Sequence, residues 1–419
     1  MPLVGYLNST HSKQRNSLTL IKNHNQVVAE WIYPAHMSAL QPSAVREILK
    51  ISNRPGVISF AGGLPAPELF PLDEIIESTK RVICKYKGDA VQYSLTLGLT
   101  PLRQLLAERF TDKNEPTHID NVIITSGSQQ AVEMVTRVFI EPGDTILTEY
   151  PTYVGALQIF QYHKARVVCA EMDEEGLITE QVEEKIIKHN PKFIYVVSTF
   201  QNPTGITMSQ PRRLALLELA EKYGIPIVDD DPYGDLRFVG EHVPTLKELG
   251  GDAVISMGTV SKILAPGLRI GWVNARKDLI TILEKLKQAD DLHAGTLNQY
   301  IFLDFIQRGL LEPHIKKIRA DYGNKRETML MEMERSFPAG VSWTRPEGGL
   351  FLWVTLPKHI SAQDVFDKAI AKNVAFVIGQ PFYPDGKTLN TFRINYATAS
   401  KSDILEGIKR LAAILKEMV

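Results

Sequence analysis

The 419-residue chain has only two cysteines, Cys84 and Cys169, far apart and in no metal-ligand spacing. That argues against a disulfide-stapled scaffold, and buried free thiols in a reducing compartment are the expectation. The histidines include no H-E-x-x-H pattern, so no metal site is expected. No apolar run approaches the length of a membrane span. The first thirty residues, broken by Asn8, Ser9, Thr10, His11, Asn23 and Asn25, contain no signal-peptide core, and a cytoplasmic location follows as the default. Excess charge of either sign is also lacking. The 47 Lys and Arg residues face 48 Asp and Glu, a net charge of -1, which leaves no global footprint for nucleic acid. No internal repeat or low-complexity segment breaks the pattern. What is present is 44% hydrophobic and 23% charged, an ordinary soluble composition in a chain long enough for two domains.

Residues 1 to about 35 read as an extension with some helical content around Gln26 to Trp31. Met37 to Ile51 reads as an amphipathic helix, with Val45, Ile48 and Leu49 on one face and Arg46, Glu47 and Lys50 on the other. Residues 58 to 71, I-S-F-A-G-G-L-P-A-P-E-L-F-P, form an irregular loop. Gly62 and Gly63 there would let a ligand approach the backbone, and a tight turn without a ligand is an equal reading. Pro71 to Lys85 is helical, and Thr100 is placed to cap a helix starting at Pro101.

From residue 121 strands and helices alternate. Strands are predicted at Asn121–Thr125, Thr145–Thr148, Arg166–Ala170 and Lys192–Ser198, each followed by a helical pattern, and at Ile225–Asp229, which ends in D-D-D-P-Y-G. Such alternation predicts a mostly parallel sheet with helices on both faces, and ligands in such sheets lie beyond the carboxyl ends of the strands. The loops at 126–130, 199–205 and 229–234 all follow strand ends.

The chemistry is concentrated at S-M-G-T-V-S-K-I-L-A-P-G-L-R-I-G-W, residues 256 to 272. Lys262 follows one apolar run and Arg269 opens another. A lysine held between two buried strands is rarely a plain solvated one. Its amine can form a Schiff base with a carbonyl, while Thr259, Ser261 and Arg269 can hold an anionic group on the same ligand. Pyridoxal 5'-phosphate carries both groups. Gly127, Ser128 and Gln129 open a helix after a strand, where free N–H groups suit a phosphate; ordinary capping by Ser126 or Ser128 is the competing reading. Asn202 ends a strand and could donate to a phenolic oxygen, as could Tyr233. Asp230 lies in a run of three aspartates that ends an apolar strand, where a carboxylate is costly unless it meets a cation such as a protonated pyridine nitrogen. A metal is the weaker use of those aspartates, since adjacent residues point different ways. Tyr153 could stack on an aromatic ring. Arg393, in an apolar strand, needs an anion, and its planar fork matches the α-carboxylate of an amino acid.

Taken together, F-A-G-G-L-P-A-P-E-L-F-P, Q-Y-S, T-S-G-S-Q-Q, Q-N-P-T-G, D-D-D-P-Y-G-D-L-R-F, G-T-V-S-K-I-L-A-P-G-L-R-I-G-W and F-R-I-N-Y-A run in order from about residue 40 to the end. This series resembles the fold type I pyridoxal-phosphate aminotransferases. It is similar in particular to the 2-aminoadipate and multi-substrate group that includes kynurenine aminotransferase II types. The resemblance implies an α/β fold, with a large domain built on a mostly parallel sheet flanked by helices and a smaller α+β domain. It implies that Lys262 carries the cofactor and shuttles a proton, that Asp230 pairs with the pyridine nitrogen, and that Asn202 and Tyr233 hold the phenolic oxygen. Tyr153 would stack on the ring, and Ser128, Gln129, Thr259, Ser261 and Arg269 would surround the phosphate. Tyr93 would reach the phosphate of a neighbouring subunit, which implies a homodimer. Arg393 would take the α-carboxylate, and Gly62 and Gly63 would line the substrate pocket. Arg46 would then be a partner for an acidic side chain, against the rival reading of a solvent-facing arginine.

The expected division is an extension at 1–35, an N-terminal segment at 36–110, a large cofactor-binding domain at 111–336 and a small domain at 337–419. The expected activity is transfer of an amino group from an L-amino acid (2-aminoadipate, aromatic or branched) to a 2-oxo acid, 2-oxoglutarate foremost. A lyase or decarboxylase on the same scaffold is the alternative. The effector half of a DNA-binding regulator is disfavoured, because only about 35 residues precede the matching motifs and they hold no basic block.

Overall fold

The computed structural model describes residues 54–111 and 117–419, together with the backbone of 21–23 and 26–28. Two units divide the chain, Met1–Gln41 and Pro42–Val419. In the first, β1 (Ile21–Asn23) and β2 (Gln26–Val28) form an antiparallel hairpin. Helical content expected from Gln26 onward is therefore corrected to strand over Gln26–Val28. The β-branched Val27 and Val28 favour that form. The amphipathic pattern at Met37–Ile51, with Arg46, lies outside the described residues.

In the second unit, β3 (Ile58–Ser59) precedes the helices Leu72–Tyr86 and Thr100–Phe110. The latter starts one residue earlier than expected, with Leu99 rather than Thr100 at the cap position. The strands that follow are β4 (Val122–Thr125), β5 (Thr145–Tyr150), β6 (Arg166–Asp173), β7 (Gly176–Leu177), β8 (Phe193–Val196), β9 (Ile227–Asp230), β10 (Val254–Thr259) and β11 (Gly271–Asn274). They form one eight-stranded sheet in the order β4-β11-β10-β9-β8-β5-β6-β7. Strands β10, β9, β8, β5 and β6 run parallel. Their central members read as continuous apolar runs (Phe193, Ile194, Tyr195 and Val196 are all buried), because helices cover both faces and no side of the strand meets water.

One reversal positions the site. β11 is antiparallel to both β10 and β4, and its first residue, Gly271, registers with Thr259 and Thr125, at the carboxyl ends of those strands. Arg269, two residues earlier, is therefore delivered to the same edge as Lys262 and the loop after β4. Gly271 has to be glycine: a Cβ there would lie 2.6 Å from the Gly127 carbonyl carbon and 2.8 Å from the Ser128 nitrogen.

Beyond the helices Lys277–Asp290, Thr296–Gln307 and Leu311–Ser336, the chain forms β12 (Ser342–Trp343), β13 (Phe351–Thr355), β14 (Val374–Ala375), β15 (Val377–Ile378) and β16 (Thr391–Asn395). A four-stranded antiparallel sheet, β12-β13-β16-β15, carries Arg393 in its interior, opposite Trp353 and Val377. β14 pairs instead with β3, so residues 58–59 join the C-terminal part of the chain. The thiols need one correction. Both are free, but Cys84 is exposed on its helix, and Cys169 is half-buried beside Thr148 Oγ1 at 3.4 Å. Burial pushes the Cys169 thiol up to about 11, which leaves it a poor nucleophile. No helix among the described residues is long and apolar enough to cross a membrane.

Candidate active site

The carboxyl ends of β4, β8, β9 and β10 and the turn after β5 converge on a cavity of about 550 Å³. Gly63, Ser128, Gln129, Tyr153, Asn202, Asp230, Tyr233, Thr259, Ser261, Lys262, Arg269 and Arg393, which the sequence singles out, all line it. Gly62 stands behind that wall, its carbonyl accepting from Asn395 Nδ2. Tyr93 is 78% exposed and lies in a different depression, edge-on to His293.

Lys262 follows the end of β10, and its Nζ donates to the Gly63 carbonyl at 2.8 Å. Burial lowers its amine to about 8, and Arg393 and Arg269 lower it too, while Asp230 opposes them. Part of it is therefore unprotonated near neutral pH, as a nucleophilic amine requires.

The three aspartates separate, as alternation along a strand demands. Asp229 turns away from the cavity and accepts from the backbone N–H and hydroxyl of Ser198 at 3.2 and 3.0 Å. Asp231 caps the next turn, accepting from Gly234 N at 2.7 Å. Only Asp230 faces the cavity. Its Oδ2 accepts from the Tyr195 hydroxyl at 2.9 Å, and its buried Oδ1 has no partner. Burial raises this carboxyl to about 6.

Asn202 sits between two groups: its Nδ2 donates to the Tyr233 hydroxyl at 3.3 Å, and its Oδ1 accepts from Arg393 Nη1 at 2.8 Å. Arg393 Nη2 donates to the Ala61 carbonyl at 3.0 Å, and the guanidinium lies 4.1 Å over the Phe351 ring. Its Nε has no partner, and among the described residues the groups that offset its burial are tyrosines, not carboxylates. A buried cation in that state favours an anion from outside the chain.

At the other end, the helix Ser128–Phe139 begins after Gly127, at φ 85°, with no side chain capping it. Capping by Ser126 or Ser128 does not occur: Gly127 holds the cap position and Ser128 is already the first helical residue, while the Ser126 hydroxyl donates to Asp291 at 2.9 Å. Arg269 Nη2 donates to the Ser126 carbonyl at 2.9 Å, and a Cβ on Gly127 would collide with that guanidinium. Thr259 Oγ1 and Ser261 Oγ stand 2.9 Å apart beside it. Gln129 contributes less directly than expected: its amide donates to the Gly155 carbonyl at 3.0 Å and accepts from the Tyr153 hydroxyl at 3.2 Å, which fixes the Tyr153 ring.

The cavity thus offers an uncapped helix end with a cation and two hydroxyls, an amine of lowered basicity, an aromatic wall and an orphaned carboxylate oxygen. Those four features fit a phosphate, a carbonyl, a planar ring and a cationic ring nitrogen, which are the parts of pyridoxal phosphate. Sequence reasoning missed Tyr195, Gln201 and Glu149. Gln201, fully buried, donates to Glu149 Oε2 at 3.1 Å and accepts from Thr204 N at 2.9 Å, fixing the turn that carries Asn202. A tyrosine or glutamate inside an otherwise apolar strand was the available signal, since a buried polar tip needs a partner.

Residues 56–411 match the family of class I and II aminotransferases. The aromatic-amino-acid aminotransferase 1 of Thermococcus litoralis is 45% identical over 385 residues, 90% of this chain and 92% of that protein. The crystal structure of the Pyrococcus horikoshii kynurenine aminotransferase, in complex with PMP, superposes with a TM-score of 0.89 at 42% identity, covering 92% of this chain and 97% of that one. The α-aminoadipate aminotransferase of Thermus thermophilus, complexed with N-(5'-phosphopyridoxyl)-L-leucine, gives 0.86 at 38% identity, with coverage of 92% and 97%. The chain belongs to the class I and II aminotransferase family. It is a pyridoxal-phosphate-dependent aminotransferase of fold type I.

Proposed function

We propose that this enzyme moves the amino group of 2-aminoadipate or an aromatic amino acid to 2-oxoglutarate in two half-reactions. The reading rests above all on one observation: the lowered Lys262 amine, the unpaired Asp230 Oδ1 and the acid-free Arg393 guanidinium share one cavity. The relatives' substrates supply the donor class.

Asp230 would hold the ring nitrogen, Asn202 and Tyr233 the phenolic oxygen, and Tyr153 the ring face. Ser128 and its helix end, including the Gln129 backbone N–H, with Thr259, Ser261 and Arg269, would hold the phosphate. Bound pyridoxal phosphate supplies the electron sink that makes the substrate's α-proton acidic. Arg393 binds and orients the substrate α-carboxylate through its planar fork. Lys262 Nζ takes the α-proton, a task suited to a base whose acidity lies near working pH. Gly63 lines the wall beside Lys262 and Arg393, where a Cβ would meet Phe351 at 3.5 Å and the Arg393 fork at 3.7 Å, ordinary contact distances. Gly62 would line the same loop behind it, its carbonyl held by Asn395 Nδ2. Tyr93 would complete the phosphate site of a second copy in a homodimer, which its exposure allows, and the enzyme would work in the cytoplasm.

The test is a donor panel followed by absorbance. A visible band lost with 2-aminoadipate or an aromatic amino acid and restored by 2-oxoglutarate supports the reading. A band that no donor converts would contradict it in favour of a lyase. In the same panel, Arg46→Ala is expected to weaken 2-aminoadipate and glutamate while sparing aromatic donors; unchanged selectivity removes Arg46 from the substrate site.

A further inference from the structure

Asp230 is supported from behind by a residue that no motif marks. Tyr195 stands on β8, next to β9, and registers with Val228. Asp230 is two residues beyond Val228, so the pleat turns it to the same face as Tyr195. The tyrosine is fully buried, and its hydroxyl reaches Asp230 Oδ2 at 2.9 Å. That is the sole side-chain hydrogen bond to Asp230 among the described residues. Burial and the facing Asp230 raise the phenol well above its ordinary range, so it can act only as a donor here. Asp230 also feels the charge of Asp229, on the opposite face of its own strand, which disfavours its ionisation, and of Lys262 from the turn after β10, which favours it. Tyr153 and Glu149 bear on the phenol from the β5 side, and Tyr233 stands within the field of Asp230. Of these groups, Tyr195 is the one that gives the carboxylate a side-chain hydrogen bond.

We propose that Tyr195 is a positioning residue for the reaction: its phenol holds one oxygen of Asp230 and so presents the other, ionised, to the cationic ring nitrogen of pyridoxal phosphate. The proposal rests on the reading of the cavity given above. Without the phenol, a carboxylate already disfavoured by burial and by Asp229 has no donor at all. It then takes up a proton at higher pH and rotates freely about its last bond. The ring nitrogen loses its anionic partner under conditions where the wild type keeps it.

The experiment compares wild type, Tyr195→Phe, Asp230→Asn and the double variant. Two quantities are read: the dissociation constant of pyridoxal phosphate, by its visible band after dialysis and reconstitution, and the pH profile of kcat/KM. Tyr195→Phe is expected to weaken cofactor binding roughly tenfold and to move the acid limb of the profile up by about one pH unit, the same free-energy change read in two ways. In the Asp230→Asn background the same substitution is expected to add nothing, because the residue it acts through is gone. Tyr195→Phe that binds and titrates like wild type overturns the proposal. An equal loss in both backgrounds, or failure of the variant to fold, also overturns it and makes Tyr195 a core residue only. A wild type that forms no band with pyridoxal phosphate fails at an earlier point and overturns the reading of the cavity itself.

Discussion

Two fully buried arginines occupy two regions of this molecule and do different work. Arg213, on the helix Gln210–Tyr223 behind the sheet, donates Nε to Met208 O at 2.9 Å and Nη1 to Pro244 O at 3.2 Å. Its Nη2 donates to Ser198 O and Thr199 Oγ1, each at 2.9 Å, and Asp229 is the charge that most offsets its burial. All three of its nitrogens are spent on this chain. Arg393, on the cavity wall, is as deeply buried, but its Nε is bare and the groups that partly offset its burial are tyrosines. Burial pushes it down to about 10. The lesson concerns how to read a buried cation. One whose donors are all met by carbonyls and hydroxyls ties loops together. One with spare donors at a cavity is arranged for an anion that comes and goes.

Four substitutions sharpen that contrast. Lys262→Ala removes the amine proposed above as nucleophile and base. Turnover is expected to fall by at least ~10⁴-fold, since nucleophile and base go together, with the melting temperature nearly unchanged. Arg393→Ala is expected to lower kcat/KM for amino acids by about 10²- to 10³-fold, the usual cost of losing a buried partner for a carboxylate, again with folding retained. Arg213→Ala reverses the pattern. It strands the Met208, Ser198 and Pro244 carbonyls and leaves Asp229 without its cation, so denaturant unfolding should show a loss of about 3 kcal/mol, and the KM of the protein that remains folded should hold.

The smallest effect is expected at Glu149. Burial raises its carboxyl to about 8 from the ordinary 4.5. A carboxyl whose folded value is raised favours the fold when protonated, so its contribution is complete below about pH 4.5 and is lost as pH rises through 8. Glu149→Gln keeps an acceptor for Val197 N and Gln201 and cannot ionise. Its unfolding free energy is expected to vary less than wild type's between those pH values and to exceed it at the upper end. Identical pH slopes would show that Glu149 does not titrate in that window.

Much of this was legible in the sequence, because the informative elements are those where a polar residue interrupts an apolar run. Lys262, Asp230 and Arg393 each do so, and buried charges of that kind need partners. The alternation of strands and helices placed the suspicious loops at one edge of a parallel sheet. Other features follow from pairing, which a single sequence does not display. The reversal of β11 brings Arg269 to the edge, and nothing local in G-L-R-I-G-W announces an antiparallel strand. The separation of Asp229 from Asp230 depends on which face of β9 meets the cavity. The position of Gln129 suits a phosphate, but pairing across the turn engages its side-chain amide with Gly155 and Tyr153, which leaves the backbone N–H for that part. Tyr195 was hidden because an aromatic residue in a buried strand is usually core.

The most direct measurement of the central claim is borohydride reduction of the protein loaded with pyridoxal phosphate, followed by peptide mass mapping. The arrangement of the cavity predicts a single pyridoxyl adduct, on the peptide carrying Lys262, absent after Lys262→Ala. An adduct on other lysines, or none with Lys262 intact, would contradict the assignment of this cavity as the catalytic centre.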